Sequence, residues 1–188
     1  ELGLLDGGDG SRVFDTRDGA LEWMEDRVLE GAGWRESTAE RPLELVETEL
    51  LAGLTAAEVG AVAAGVRVLD LAPGEALFRR GDEGDELFLV ESGRVHVLLP
   101  LTGGRRHHLA TICRGDFLGE VAFLDRGRRS ADAEAATPVR VAVLSRAAFD
   151  RVVAADASLG VVVLERLARG LSHRLRTADA EVRALEER

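Results

Sequence analysis

Short apolar runs punctuated by glycine fill the middle of the chain. Ala76-Leu77-Phe78 follows the turn Pro73-Gly74-Glu75, Leu87-Phe88-Leu89-Val90 follows Gly81-Asp82-Glu83-Gly84-Asp85, and Val95-His96-Val97-Leu98-Leu99 follows Ser92-Gly93. Runs of this length bounded by turn formers predict short strands joined by tight turns. The series starts near Val66 and ends at Val139-Arg140-Val141-Ala142-Val143-Leu144, where alternation after Pro138 predicts a closing strand. Helical signals flank it. Leu43 to Leu51 reads as a helical stretch, and Thr55-Ala56-Ala57-Glu58 has the spacing of a capping box that starts a short helix to Ala64. Beyond the strands, Ser145 is placed to cap a helix, and Leu164, Ala168, Leu171, Leu175, Ala178, Val182 and Leu185 recur at steps of four and three. That heptad seam predicts a helix that pairs with another helix. Its plainer alternative is the core-facing stripe of a surface helix.

The first third of the chain differs in kind. Residues 1–17 are rich in glycine and aspartate, with Arg12-Val13-Phe14 as the strand-like piece. Asp18 is placed to cap a helix through Ala20, Leu21, Met24, Val28 and Leu29, which Gly31 and Gly33 end. A polar linker from Arg35 to Arg41 precedes Pro42. The 188 residues suffice for one packed domain plus an appendage, and no apolar run has the length of a membrane span. A formal charge of −10 argues against a nucleic-acid surface, which needs a positive field. A single cysteine, Cys113, permits no internal disulfide and fits a reducing compartment, so the expected location is cytoplasmic, including the cytoplasmic part of a membrane protein. No leader is evident and the first residue is Glu1, which predicts a piece of something longer.

The densest chemistry lies at residues 117–131. Phe117-Leu118-Gly119-Glu120 is followed by the apolar run Val121 to Leu124, then Asp125-Arg126-Gly127 and Arg128-Arg129-Ser130-Ala131. Gly119 permits a tight turn and close approach to a ligand, and Val121 to Leu124 can form one helical turn whose free amides face an anion. Glu120 when ionised only accepts hydrogen bonds, so it suits a sugar hydroxyl and repels a phosphate. Arg129 carries a planar fork matched to two phosphate oxygens, and the Ser130 hydroxyl with the amides of Ser130 and Ala131 can complete the shell. Arg126, Arg128 and Arg129 focus positive potential locally despite the acidic whole.

At these residues the chain resembles the phosphate-binding cassette of cyclic-nucleotide-binding domains, the family of the bacterial catabolite activator and of the regulatory subunits of cyclic-nucleotide-dependent kinases. Gly119, Glu120, Arg129, Ser130 and Ala131 match the pattern position by position; Leu118 is an insertion before the glycine, and Arg128 stands where many members have proline. The resemblance covers roughly residues 66–188. It implies a mainly β fold with flanking α-helices: a double-stranded β-helix (jelly roll or β-roll) over 66–145 with its cassette at 117–133. Linker and N-terminal helices would occupy 35–65 as a helical bundle, and C-terminal helices 146–188. It also implies a non-catalytic sensor of cAMP or cGMP, with Gly119, Glu120, Val121, Arg129, Ser130 and Ala131 at the ligand and no metal. The last helix would cover the base and, as in the activator branch, join two subunits through Leu164, Leu171, Leu175, Val182 and Leu185. No helix-turn-helix follows it, so no nucleic-acid partner and no membrane insertion are expected. Residues 14–26 are similar to the last strand and helix of STAS-type domains. Such domains precede a cyclic-nucleotide domain in some sulfate-permease-type transporters and long glutaminases, so residues 1–34 are read as a STAS-like remnant.

Plainer readings compete. Arg129 and Glu120 could pair with each other in a structural pocket, leaving a ligand-free dimerisation module of a larger transporter or glutaminase. His107 and His108 evoke a cupin-like metal site, but strand neighbours point to opposite faces, and His96 and His173 have no partner at ligand spacing. A solvated hairpin after Thr102-Gly103-Gly104 is the better reading. Cys113 is expected to be a small core residue, and Trp23 and Trp34 packing groups.

Overall fold

A computed structural model describes residues 41–186 together with Met24, Arg27 and Val28. The chain divides into two compact units, Glu1–Glu40 and Arg41–Arg188. In the first, the three described residues are helical and exposed. The rest of the STAS-like expectation, Trp23 and Trp34 included, lies outside the described residues.

Among its described residues the second unit holds eight strands and four α-helices. The strands are β1 (Val66–Leu71), β2 (Ala76–Phe78), β3 (Glu86–Ser92), β4 (Val95–Pro100), β5 (Arg106–Ile112), β6 (Phe117–Leu118), β7 (Asp132–Ala135) and β8 (Val139–Ser145). The helices are α1 (Ala56–Ala63), α2 (Glu120–Asp125), α3 (Arg146–Ala155) and α4 (Ala157–Glu186). Local sequence explains their starts. Thr55 and Glu58 close the capping box at α1, and the Ser145 hydroxyl accepts from the Ala148 amide at α3. Leu43 to Leu51 departs from its reading as a helix: it forms a 3-10 turn at Leu45–Glu47 followed by irregular turns, and the Thr48 hydroxyl donates to the Leu45 carbonyl. The helical bundle expected there is therefore one short α-helix.

The expected jelly roll is also corrected. The strands form two separate four-stranded antiparallel sheets, β1-β8-β3-β6 and β2-β7-β4-β5, and neither closes. The edges account for it. β6 has two residues and stops at the left-handed Gly119, and β2 has three with a register shift against β7, so neither offers a ladder long enough to continue around. Glycine-bounded short strands are common to open and closed arrangements, which is why the sequence pattern does not separate them. Nor is the fold mainly β, since the α-helices hold more residues than the strands and α4 alone has 30.

The first sheet is the middle layer of three. Along β3, Leu87 and Leu89 face the helices while Phe88 and Val90 face the second sheet, and along β8 Ala142 and Leu144 alternate with Val141 and Val143 in the same way. A strand buried on both faces reads as a continuous apolar run. On the helical side Leu50, Leu51, Val62, Phe123, Phe149, Leu159, Val163 and Leu167 complete the core. At Gly170 helix α4 comes so close that a Cβ would lie 2.5 Å from Cζ of Phe117, so only glycine admits this approach. The contact seats α4 on the end of β6, next to the segment that sequence marks as functional.

Candidate functional site

The turn at Gly119 builds the site. Its φ of 86° is left-handed, and a Cβ there would lie 2.8 Å from Nη1 of Arg129 and 2.9 Å from the Glu86 carbonyl oxygen. Glycine thus satisfies both the backbone and the space. The turn ends β6 and starts α2, which puts Glu120 in the first helical turn, 5% exposed. Nine residues further on, Arg129 is 4% exposed. The Gly81 amide donates to the Arg129 carbonyl at 2.8 Å, the Arg129 amide donates to the Asp82 carbonyl at 3.0 Å, and Asp132 accepts from the Arg80 amide at 2.7 Å. These bonds clamp the arginine segment onto the loop after β2.

Glu120 and Arg129 line a common solvent-open cleft, about 360 Å³ when the space open to solvent is counted with it. Its walls also include Phe78, Val97, Val121, Ser130, Ala131 and Arg174. All six sequence-expected residues, Gly119, Glu120, Val121, Arg129, Ser130 and Ala131, therefore border one cavity. Arg129 does not pair with Glu120. Its Nη1 donates to the carbonyls of Glu86 at 2.9 Å and Gly119 at 3.2 Å, while no hydrogen bond from Nε or Nη2 is found among the described residues. Burial pushes this guanidinium below the ordinary arginine value, and Glu86, Asp85, Glu120 and Asp82 pull it back up. Among the described residues, the amides of Ser130 and Ala131 donate to no backbone carbonyl. The cleft thus carries unsaturated donors on the arginine side and one acidic acceptor on the other.

Glu120 is held by a residue that the sequence reading does not single out. Nη1 of Arg174, from α4, lies 2.7 Å from Oε1 of Glu120, and its Nη2 donates to the Phe117 carbonyl. Its guanidinium also sits over the Phe117 ring at 5.3 Å. Arg174 is 54 positions from Glu120 and sits in a helix rich in arginine, so only its helical phase with Val163, Leu167 and Gly170 could have marked it. Leu159, Val163 and Leu167 form the true core face of α4. The heptad seam lies beside it: Leu164, Leu175 and Val182 are exposed, Leu171 is half-buried, and the Leu185 side chain lies outside the described residues.

The remaining candidates fall away from the cleft. His107 is exposed on the β4–β5 hairpin, whereas His108 meets His96 across the two strands with ring centroids 5.1 Å apart, a neighbour that sequence spacing does not reveal. Among the described residues no group of three metal-binding side chains forms. Cys113 is exposed at the end of β5 rather than in the core, because its place is the turn to Asp116. Among the described residues no helix is long and apolar enough to cross a membrane.

A sequence profile of the cyclic nucleotide-binding domain matches residues 68–156. A cyclic nucleotide-binding domain from Methylobacillus flagellatus superimposes with a TM-score of 0.64 at 30% identity, covering 72% of this chain and 75% of that one. The chain belongs to the cyclic nucleotide-binding domain family. Within that family it is a regulatory, non-catalytic sensor module. It is similar to the Thermus thermophilus catabolite activator protein, at 32% identity and a TM-score of 0.64 over 74% of this chain and 63% of that one. It is also 34% identical to Glutaminase 1 of Bradyrhizobium diazoefficiens over 91% of this chain and 27% of that protein. The chain spans about a quarter to a half of the length of the curated relatives it matches.

Removing the Arg129 side chain takes its bond from the Glu86 carbonyl, leaves the Gly119 carbonyl with the Phe123 amide alone, and opens a void beside Phe78 and Phe88. Arg129→Ala is expected to lower unfolding free energy by about 2–4 kcal/mol in urea titrations, with Arg129→Lys costing less.

Proposed function

We propose that the cleft binds a cyclic nucleotide with its phosphate on Arg129 and its ribose on Glu120. The observation that carries this reading is that two buried, oppositely charged side chains open on one cavity without neutralising each other. Nε and Nη2 of Arg129, with the amides of Ser130 and Ala131 and the Ser130 hydroxyl, supply donors to the cyclised phosphate. Glu120 accepts from a ribose hydroxyl through Oε2 while Oε1 stays with Arg174. Gly119 and Val121 form the wall past which the sugar enters. Val97, on β4, lines the cleft and faces the remainder of the ligand. The ligand is cAMP or cGMP, and Ser130 is compatible with either base.

The Arg174 ion pair gives this reading its output. A ligand that takes hold of Glu120 acts on the same carboxylate that tethers α4, so occupancy and the seating of α4 are one coupled equilibrium. The exposed seam on that helix supports a second element of the reading, a homodimer joined through Leu164, Leu171, Leu175 and Val182, with Leu185 continuing the heptad. The similarity to Glutaminase 1 runs well beyond residues 68–156, which supports placing the module in a longer glutaminase-type bacterial protein. A cytoplasmic setting goes with that placement.

Isothermal titration with cAMP and cGMP tests the site. One of them is expected to bind the parent, with Arg129→Lys weakening it at least tenfold because a point charge replaces a two-pronged donor; equal affinity in parent and variant overturns the assignment. Arg174→Ala is expected to keep binding while abolishing the ligand-induced change in hydrogen exchange over Leu164 to Val182. Light scattering of Leu175→Asp is expected to give the monomer mass where the parent gives the dimer, and a parent monomeric at high micromolar concentration removes the pairing element.

A further inference from the structure

Arg129 is anchored through one nitrogen, which fixes a point and leaves its plane to be set by something else. Two aromatic rings do this. Cζ lies 4.4 Å from the centroid of Phe78 and 5.1 Å from that of Phe88, and the two rings stand 5.6 Å apart at 33°. Backbone forms the rest of the slot: a Cβ on Gly84 would lie 3.0 Å from Nη2 and 3.1 Å from Nε. Phe88 is part of the inter-sheet core at 2% exposure, whereas Phe78 is half-buried and borders the cleft itself.

The choice of a ring has a chemical reason. A carboxylate placed against the guanidinium would fix it equally well but would consume its donors and cancel its charge. A ring face attracts the cation through its quadrupole and accepts no strong hydrogen bond, so the fork stays open for an anion. The local backbone aims Phe78 accordingly. The β2–β7 register shifts between Ala76 and Phe78, which sets Phe78 opposite the small Ala133.

We infer that Phe78 is a positioning residue for the ligand-gripping arginine, holding the Arg129 guanidinium by its ring face so that Nε and Nη2 remain free for a bound anion. This rests on the reading of Arg129 as the phosphate ligand and deepens it. It assigns to an apolar residue outside the cassette a share of phosphate affinity.

The experiment uses the full chain with cAMP and cGMP as probes, and compares the parent with Phe78→Leu and Phe78→Tyr. Leucine keeps bulk and removes the ring; tyrosine keeps the ring. Affinity is read by calorimetry, and the Arg129 Nε–Hε resonance, identified by its loss in Arg129→Lys, is read by NMR without ligand. Phe78→Leu is expected to weaken the nucleotide about five- to thirtyfold and to move the resonance, as ring current is lost. Phe78→Tyr is expected to restore both. Affinity of Phe78→Leu within twofold of the parent, or an unmoved resonance, overturns the inference. A parent that binds neither nucleotide removes the sensor reading instead; the ligand-free resonance then decides the ring contact alone, upheld if it moves and overturned if it does not.

Discussion

One buried guanidinium organises this domain. Nη1 of Arg129 donates to carbonyls at the start of β3 and at the Gly119 turn, so a single nitrogen ties the middle sheet to the junction of β6 and α2. A buried cation survives only where its donors are used or kept near solvent, and here both conditions hold in one side chain. The structural half faces the backbone. The other half, Nε and Nη2, makes no hydrogen bond among the described residues. Position and chemistry of the site are for that reason inseparable: whatever displaces Gly119 or Gly84 also displaces the charge.

The acid on the other side of the cleft is managed differently. Glu120 is almost as buried as Arg129, yet its partner comes from a remote helix rather than from the cassette. A carboxylate left unpaired at that depth would cost several kcal/mol, so Arg174 serves stability. Arginine suits the place because its fork also reaches the Phe117 carbonyl and its face rests on the Phe117 ring, which a lysine could not reproduce. The same ring meets Gly170 one turn earlier, so Phe117 joins the sheet, the cassette and α4 at one point.

The cassette is legible in sequence because it is local: Gly119, Glu120 and Arg129 fall within eleven positions, and a turn, a short helix and a bridging loop suffice to gather them. Arg174 and Phe78 are not, since each reaches the cleft through tertiary packing and neither residue type stands out in its own segment. The apolar run Leu87 to Val90 and the alternation after Pro138 locate β3 and β8, but neither pattern records which side meets which layer. The closed roll fails for a related reason. Strand number and turn glycines are local properties, whereas closure depends on edge length, and β6 ends after two residues. Leu43 to Leu51 has helical apolar spacing, but Thr48 turns its hydroxyl onto the backbone and a 3-10 turn prevails.

Among the described residues, helix α4 is packed in its first half only. Leu159, Val163 and Leu167 hold it against the core, Arg174 is its last tether to the site among the described residues, and the side chains of 175–180 stand in solvent. From Leu175 to Glu186 the helix projects about 18 Å at 1.5 Å per residue. Fixed at one end, it is a lever whose fulcrum is the Arg174–Glu120 ion pair: a tilt of about 10° at Arg174 carries the tip roughly 3 Å. Rearrangements at the cleft no larger than a hydrogen-bond length are thereby magnified at the far end of the helix.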